Sequence, residues 1–170
     1  LGLIPQKGVL FTGTIESNIK FGNPDASDEE MKRAARIAQA SEFIDKMPDG
    51  YQTPIAQGGM NVSGGQKQRL AIARTIAKDP EIYIFDDSFS ALDYKTDATL
   101  RKTLKQELSN RTMIIVAQRI STIMNAEQIL VLDEGRIIGK GTHKELLKTC
   151  ETYRQIASSQ LSKEELDYEE

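Results

Sequence analysis

The chain has 170 residues, with 22 lysines and arginines against 25 aspartates and glutamates, and so a formal net charge of −3. This length suits one ordinary domain, and the mild acidity argues against a dedicated nucleic-acid-binding protein, which normally carries a basic excess. One cysteine, Cys150, excludes an internal disulfide framework, and one histidine, His143, excludes most multi-histidine metal sites. The longest apolar run, 113–117, is far shorter than the roughly 18 residues that span a bilayer.

The first residues predict a strand that is entered partway along its length. Leu1 to Gln6 contain no initiator methionine and no pattern of a signal peptide. We therefore expect the chain to be a piece of a longer protein.

The remaining elements follow from capping residues, apolar runs and turn signals. Ser27, Ser63 and Thr142 are predicted helix N-caps, and Asp133-Glu134-Gly135 predicts a hairpin turn. Strands are predicted at 1–4, 82–85, 113–117, 128–132 and 136–139, and helices at 14–21, 28–47, 65–78, 94–109, 120–124 and 143–149, with an irregular stretch at 51–60 and a charged tail at 162–170. The runs 82–85 and 113–117 are typical of strands buried in a parallel sheet. Alternation of strands and helices predicts an α/β fold with a mainly parallel sheet and ligands at the carboxyl ends of its strands.

The run Asn61 to Leu70 holds the most specific local pattern. A serine cap followed by Gly64 and Gly65 leaves backbone N–H groups approachable at a helix start, which is a site suited to phosphate. A simple helix cap is the commoner explanation of Ser-Gly-Gly alone. The neighbouring residues favour the phosphate site.

Two acids end the apolar run at 82–85. Asp86 or Asp87, at the carboxyl end of a buried parallel strand, can reach a Mg²⁺ that nucleotide phosphates hold. An acid that faces only solvent is the plainer alternative. Asp93, shortly afterwards, would by itself be a helix N-cap.

Taken together, these residues resemble the ATP-binding cassette (ABC) ATPases over nearly the whole chain. Gln6 falls at the Q-loop glutamine of that family, and four further motifs follow in family order. These are the signature motif at 61–66, Walker B at 82–86, the D-loop at 90–93 and the switch region at 116–123. The stretches 12–19 and 47–51 resemble the exporter branch of the family.

The resemblance implies a P-loop NTPase-like α/β fold with a helical signature subdomain. The partial ATPase domain would cover 1–161, with the helical subdomain at about 14–78 and the core at about 79–150. The implied cofactors are ATP and Mg²⁺, with Asp86 and Gln6 at the metal and Asp87, Gln118 and Gln6 as catalytic residues. Across an interface of two cassettes, nucleotide would meet Ser63, Gly64, Gly65, Gln66 and Asp93.

The implied partners are a second cassette and a transmembrane domain encoded upstream, without nucleic acid. The chain would lie at the cytoplasmic face of the cell membrane. His143 follows Thr142 at a helix start, a run common in the family, and a structural role is expected for it.

Three departures from the family pattern bear on activity. The sequence contains no G-x-x-x-x-G-K-[ST], the P-loop that cradles phosphates, and truncation explains this better than degeneration. Asp87 stands where the family has a catalytic glutamate, and Gln118 stands where it has the switch histidine. Both changes in one chain predict the degenerate-site subunit of a heterodimeric exporter, and the chain by itself is predicted to be inactive. The stretch 53–59 falls where ABC exporters carry a loop near the coupling helices of the membrane domain. Ala56 and Gln57 differ from the glycine and glutamate that are usual in that loop.

Two alternatives remain open at this point. One is a soluble ABC protein without membrane domains, such as a ribosome-associated factor or a chromosome-maintenance ATPase. The other is a non-catalytic regulatory cassette that binds a partner through its signature face.

Overall fold

The structure is a computed structural model, and it describes residues 1–162. Within that range the strands are β1 (Gly2–Ile4), β2 (Gly13–Thr14), β3 (Pro54–Ile55), β4 (Ile82–Asp86), β5 (Thr112–Val116), β6 (Ile129–Asp133) and β7 (Arg136–Gly141). Parallel strands form one sheet in the order β1-β4-β5, whereas β2 with β3 and β6 with β7 form antiparallel pairs. The predicted α/β class with a mainly parallel sheet is confirmed.

Helices begin largely where the sequence predicts caps. They are α1 (Ile15–Lys20), α2 (Asp28–Ile37), α3 (Ser41–Ile44), α4 (Gly64–Ala77), α5 (Tyr94–Glu107), α6 (Ile120–Ile123), α7 (His143–Thr149) and α8 (Glu151–Gln160). The side-chain oxygens of Ser27, Ser63 and Thr142 each accept the third helical N–H, and the backbone N–H of each cap donates to the side chain of that third residue, so the predicted caps are confirmed. The predicted hairpin is also confirmed, with Glu134 and Gly135 at φ of 44° and 76°.

The single helix predicted at 28–47 is wrong. Gln39 takes a φ of 58°, and the N–H of Ala40 donates to the carbonyl of Ala35, which ends α2. This is a Schellman ending, which usually has glycine at the left-handed position, so the glutamine concealed it.

Two further differences concern the second half of the chain. Helix α8 was not predicted from the sequence. The strand at 113–117 was expected to be buried, but Ile114 and Val116 in β5 are 50% and 52% exposed, on the face of the sheet that also carries the exposed Leu3. The tail predicted at 162–170 falls, beyond Ser162, outside the described residues.

The chain divides into two compact units, the first from Leu1 to Val116 and the second from Ala117 onward. In the first, α4 packs against β1, α1 and α2, and its buried residues include Leu70, Ile72 and Ile76. The second unit has a separate cluster of buried side chains around Leu146, Tyr153 and Ala157. The domain boundaries at about 14–78 and 79–150 stay a prediction.

Candidate active site

The two acids of the predicted magnesium site lie at the carboxyl end of the central strand, β4. Asp86 is its last residue, is exposed, and lies opposite Val116 of β5 in the register. Asp87 leaves the strand with a φ of 45°, and its N–H donates to the carbonyl of Val116 at 2.8 Å. Aspartate is one of the few residues besides glycine that tolerate this left-handed conformation. The chain thus turns sharply at Asp87.

Gln6 meets Asp87 at this edge of the sheet. The Nε2 of Gln6 donates to Oδ2 of Asp87 at 3.1 Å, although 81 positions separate the two residues in the chain. The parallel register pairs Ile4 with Phe85, so both residues lie two positions beyond a matched pair. The structure therefore brings together two residues that the sequence predicted separately.

Ser88 fixes the residues that follow Asp87. Its hydroxyl is fully buried and donates to the carbonyl of Ile4 at 2.7 Å, tying the end of β4 to the end of β1. Sequence reasoning missed Ser88. A small polar residue directly after two acids at a strand end was the available signal.

The Q-loop segment, residues 5–8, is held by α4. Gln68 accepts a hydrogen bond from the N–H of Gly8 at 2.8 Å and donates to the carbonyl of Pro5 at 2.9 Å. Sequence reasoning gave Gln68 no role. It precedes Ile72 by four positions on the same helix face, so a polar residue in a buried stripe was the signal.

The start of α4 presents the predicted signature residues. Gly64 has open space where a Cβ would lie, whereas a Cβ on Gly65 would lie 3.5 Å from the carbonyl oxygen of Ala91. The N–H of Ser63 donates to Oε1 of Gln66 at 2.9 Å, and the N–H of Gln66 donates to Oγ of Ser63 at 3.2 Å. The carboxamide oxygen of Gln66 thus closes the helix cap, and the backbone at Gly64 is exposed.

Asp93 and Arg69 add opposite charges next to this helix start. Asp93 caps α5 by accepting the N–H of Thr96 at 3.0 Å, and its hydrogen bonds with Thr96 hold the pKa of its carboxyl below the usual range. Arg69 donates to the carbonyl of Gln39 at 2.8 Å, and burial lowers the pKa of its guanidinium. Asp93 is therefore a helix cap in this structure, and its role at an interface stays a prediction.

Gln118 belongs to the second unit. Its backbone carbonyl accepts a hydrogen bond from Nε2 of Gln160 at 2.9 Å, and Oε1 of Gln160 accepts the N–H of Ile120 at 2.8 Å. Gln160 on α8 thus holds the switch segment, residues 118–120.

His143 is buried in the same unit and its Nδ1 lies 2.7 Å from the hydroxyl of Tyr153, which supports the structural role expected of it.

The loop at 53–59 is also fixed by a carboxamide. Asn61 accepts the N–H of Ala56 at 3.0 Å and donates to the carbonyl of Pro54 at 2.8 Å. The first residue of the predicted signature motif therefore fixes the backbone of this loop.

The donor set at the end of β4 fits Mg²⁺. Among residues 1–162 there is no group of three or more histidine, cysteine, aspartate or glutamate side chains placed to hold a metal. Mg²⁺ is commonly held by one or two protein oxygens while phosphates and water supply the rest. Asp86, with the carboxamide oxygen of Gln6, provides oxygens of this kind.

Comparison with known proteins decides the family. The model of the ABC transporter family matches residues 1–90, which is more than half of the chain. This chain belongs to the ABC transporter family. Within residues 1–162, no helix of this ABC chain has the length and apolar character that a membrane crossing requires.

Relatives extend the likeness of the ABC chain beyond residue 90. It is 49% identical to an uncharacterised ABC transporter ATP-binding protein of Mycobacterium bovis over 94% of its length, and 46% identical to heavy metal tolerance factor 1 of Caenorhabditis elegans over 96%. It spans only 28% and 20% of those two relatives. A bacterial Atm1-family ABC exporter with ATP bound matches 93% of the ABC chain with a TM-score of 0.90 and 42% identity, and the match covers 28% of that exporter.

Proposed function

We propose that this chain is part of the nucleotide-binding domain of an ABC exporter, at the cytoplasmic face of a membrane. It would couple ATP binding and hydrolysis to export through a transmembrane domain encoded upstream. The likeness to an Atm1-family exporter favours this proposal over a soluble ABC protein. The hydrogen bond between Gln6 and Asp87 carries it, because it joins two predicted catalytic residues at the edge where α/β sheets bind ligands.

The predicted catalytic and metal-binding residues each have a proposed role. Asp87 would accept a proton from the attacking water, and Gln6, already bonded to Asp87, would orient that water. Asp86 and Gln6 would hold Mg²⁺, which when bound would neutralise charge on the phosphates. Gln118 would donate a hydrogen bond towards the γ-phosphate, without the positive charge that a histidine can carry.

The signature residues would act on the ATP of a second cassette packed head to tail. Ser63, Gly64, Gly65 and Gln66 would supply the helix start that faces its phosphates, with Asp93 nearby. The open space at Gly64 supports this role. The partner's site would then be complete while this chain's own site hydrolyses slowly.

Slow hydrolysis follows from Asp87 and Gln118, and it makes a heterodimer the proposed assembly. An aspartate is one methylene shorter than a glutamate, and a displacement near 1 Å can cost about a hundredfold in rate. The loop at 53–59, held by Asn61, would face the coupling helices. Domain limits of 14–78 for the helical part and 79–150 for the core remain part of this proposal.

Restoring the family residues tests the degenerate site. In the full-length heterodimer with the partner's own catalytic base removed, Asp87→Glu with Gln118→His should raise ATP hydrolysis, by up to about a hundredfold. The matched control is Asp45→Glu with Gln155→His, which makes the same exchanges at exposed positions and should leave the rate unchanged. An unchanged rate with both family residues restored would refute the degenerate-site proposal.

A second experiment concerns the chain by itself. Because the sequence contains no P-loop pattern, the purified 170-residue chain should show no turnover of Mg-ATP. Measurable turnover that depends on Asp87 would contradict this expectation.

A further inference from the structure

Gln68 is a buried polar residue whose hydrogen bonds all serve one loop. Only 1% of its surface is exposed, and burying a carboxamide is costly unless its oxygen and nitrogen both find partners. Here the oxygen accepts the N–H of Gly8 and the nitrogen donates to the carbonyl of Pro5. The two bonds reach the backbone on either side of Gln6.

Two more contacts hold the same loop on α4. A Cβ on Gly8 would lie 2.8 Å from the carbonyl oxygen of Lys67, so the absence of a side chain at Gly8 permits the close approach. Two turns later, Arg74 donates to the carbonyl of Val9 at 2.9 Å. The backbone on both sides of Gln6 is therefore fastened to α4.

Gln6 itself is exposed and makes its 3.1 Å hydrogen bond to Asp87. Because the flanking backbone sets where the Gln6 side chain begins, we infer that Gln68 is a positioning residue for ATP hydrolysis, holding Gln6 against Asp87 through the backbone of residues 5 and 8. The inference rests on the proposed function for its catalytic part, and its structural part can be measured without nucleotide.

Hydrogen exchange tests the structural part. In the nucleotide-free full-length protein, Gln68→Met should speed exchange of the Gly8 amide about tenfold, while amides in the middle of α4 keep their protection. Gln155→Met, an identical exchange at an exposed position of α8, is the matched control. Unchanged exchange at Gly8 in a folded Gln68→Met protein would overturn the inference.

Gln68→Glu is a second variant. It tests whether residue 68 holds the backbone of residues 5 and 8 even if Gln68→Met does not fold. A neutral carboxyl can accept the N–H of Gly8 and donate to the carbonyl of Pro5, whereas an ionised one has no donor. Burial raises the pKa of a carboxyl. Protection of Gly8, relative to the control, should therefore recover as the pH falls, and protection that is independent of pH would overturn the inference.

Kinetics test the catalytic part in the background of Asp87→Glu with Gln118→His. Adding Gln68→Met should lower kcat about ten- to a hundredfold with little change in KM for ATP, and should cause no further loss once Gln6→Ala is present. Equal losses with and without Gln6 would show a purely structural role and overturn the inference. Absence of turnover in the background itself would count against the proposed function, and the exchange measurements would then decide the role of Gln68.

Discussion

The Q-loop segment of the first unit and the switch segment of the second are held by the same chemistry in different surroundings. In each, one glutamine carboxamide accepts a backbone N–H and donates to a backbone carbonyl a few residues away. Gln68 does this for Pro5 and Gly8, and Gln160 does it for Gln118 and Ile120. Gln68 is buried within the helix-packed core of its unit, whereas Gln160 is exposed at the end of α8.

Burial decides how much each of these bonds contributes. In a low-dielectric interior an unmet polar group is costly, whereas an exposed one exchanges its partner for water. The Q-loop segment should therefore be rigid and the switch segment easily released.

A similar contrast applies to the buried tyrosines, because Tyr153 is paired with His143 whereas the hydroxyl of Tyr83 has no hydrogen-bond partner among residues 1–162.

The largest effect is expected for Gly8→Ala. The added methyl group would meet the backbone of Lys67 at 2.8 Å, and overpacking of this kind costs about 1–3 kcal/mol. The loss of stability should appear as faster hydrogen exchange of the amides around Gly8. The control is Gly64→Ala, where a Cβ meets nothing within 4 Å and alanine favours the helix by up to about 1 kcal/mol. Equal stability of Gly8→Ala and Gly64→Ala would contradict the rigidity inferred for the Q-loop segment.

Tyr153→Phe should come next. The variant leaves the buried His143 Nδ1 without its 2.7 Å partner, and an unmet buried group costs about 1–2 kcal/mol. Exchange of amides in α7 and α8 should accelerate accordingly. If the protection of these helices stayed at the wild-type level, the pairing would contribute nothing to the second unit.

Tyr83→Phe, in contrast, should stabilise the protein. Removing a buried, unpartnered hydroxyl should raise the free energy of unfolding by up to about 1 kcal/mol, as a shift in the denaturation midpoint would show. A lower midpoint for Tyr83→Phe would mean that this hydroxyl stabilises the fold, and the contrast with Tyr153 would fail.

The same variant changes the response to alkali. Burial raises the pKa of Tyr83 to about 12, above the unfolded value of about 10. Ionisation of Tyr83 therefore leaves the free energy of unfolding of the wild-type protein unchanged below pH about 10. As the pH rises from about 10 towards 12 that free energy falls, because the unfolded state releases the tyrosine proton first. Tyr83→Phe should lack that part of the alkaline loss in denaturant titrations at rising pH.

Gln160→Met should have the smallest effect. Gln160 is exposed, so losing its two hydrogen bonds should cost about 0.5 kcal/mol and speed exchange at Ile120 only about twofold. Gln155→Met on the same helix is the control. A change as large as that expected for Gln68→Met would show that exposure does not separate the two segments.

The sequence alone determined the local features of this chain. Caps at Ser27, Ser63 and Thr142 and the turn at Glu134-Gly135 depend on hydrogen bonds and dihedral angles within a few residues, so short patterns predict them. The motif order likewise indicated the family. A glutamine at the left-handed position 39 concealed the end of α2, because that position normally carries glycine.

The assembly of the candidate site depends on contacts between distant parts of the chain. The meeting of Gln6 with Asp87 depends on the register that pairs Ile4 with Phe85, and the support from Gln68 depends on α4 packing beside β1. Contacts between residues 60 or more positions apart leave no local pattern, since they arise from which surfaces bury one another. The sequence could thus propose the residues of the candidate site, whereas it gave no role to the residues that hold them in place.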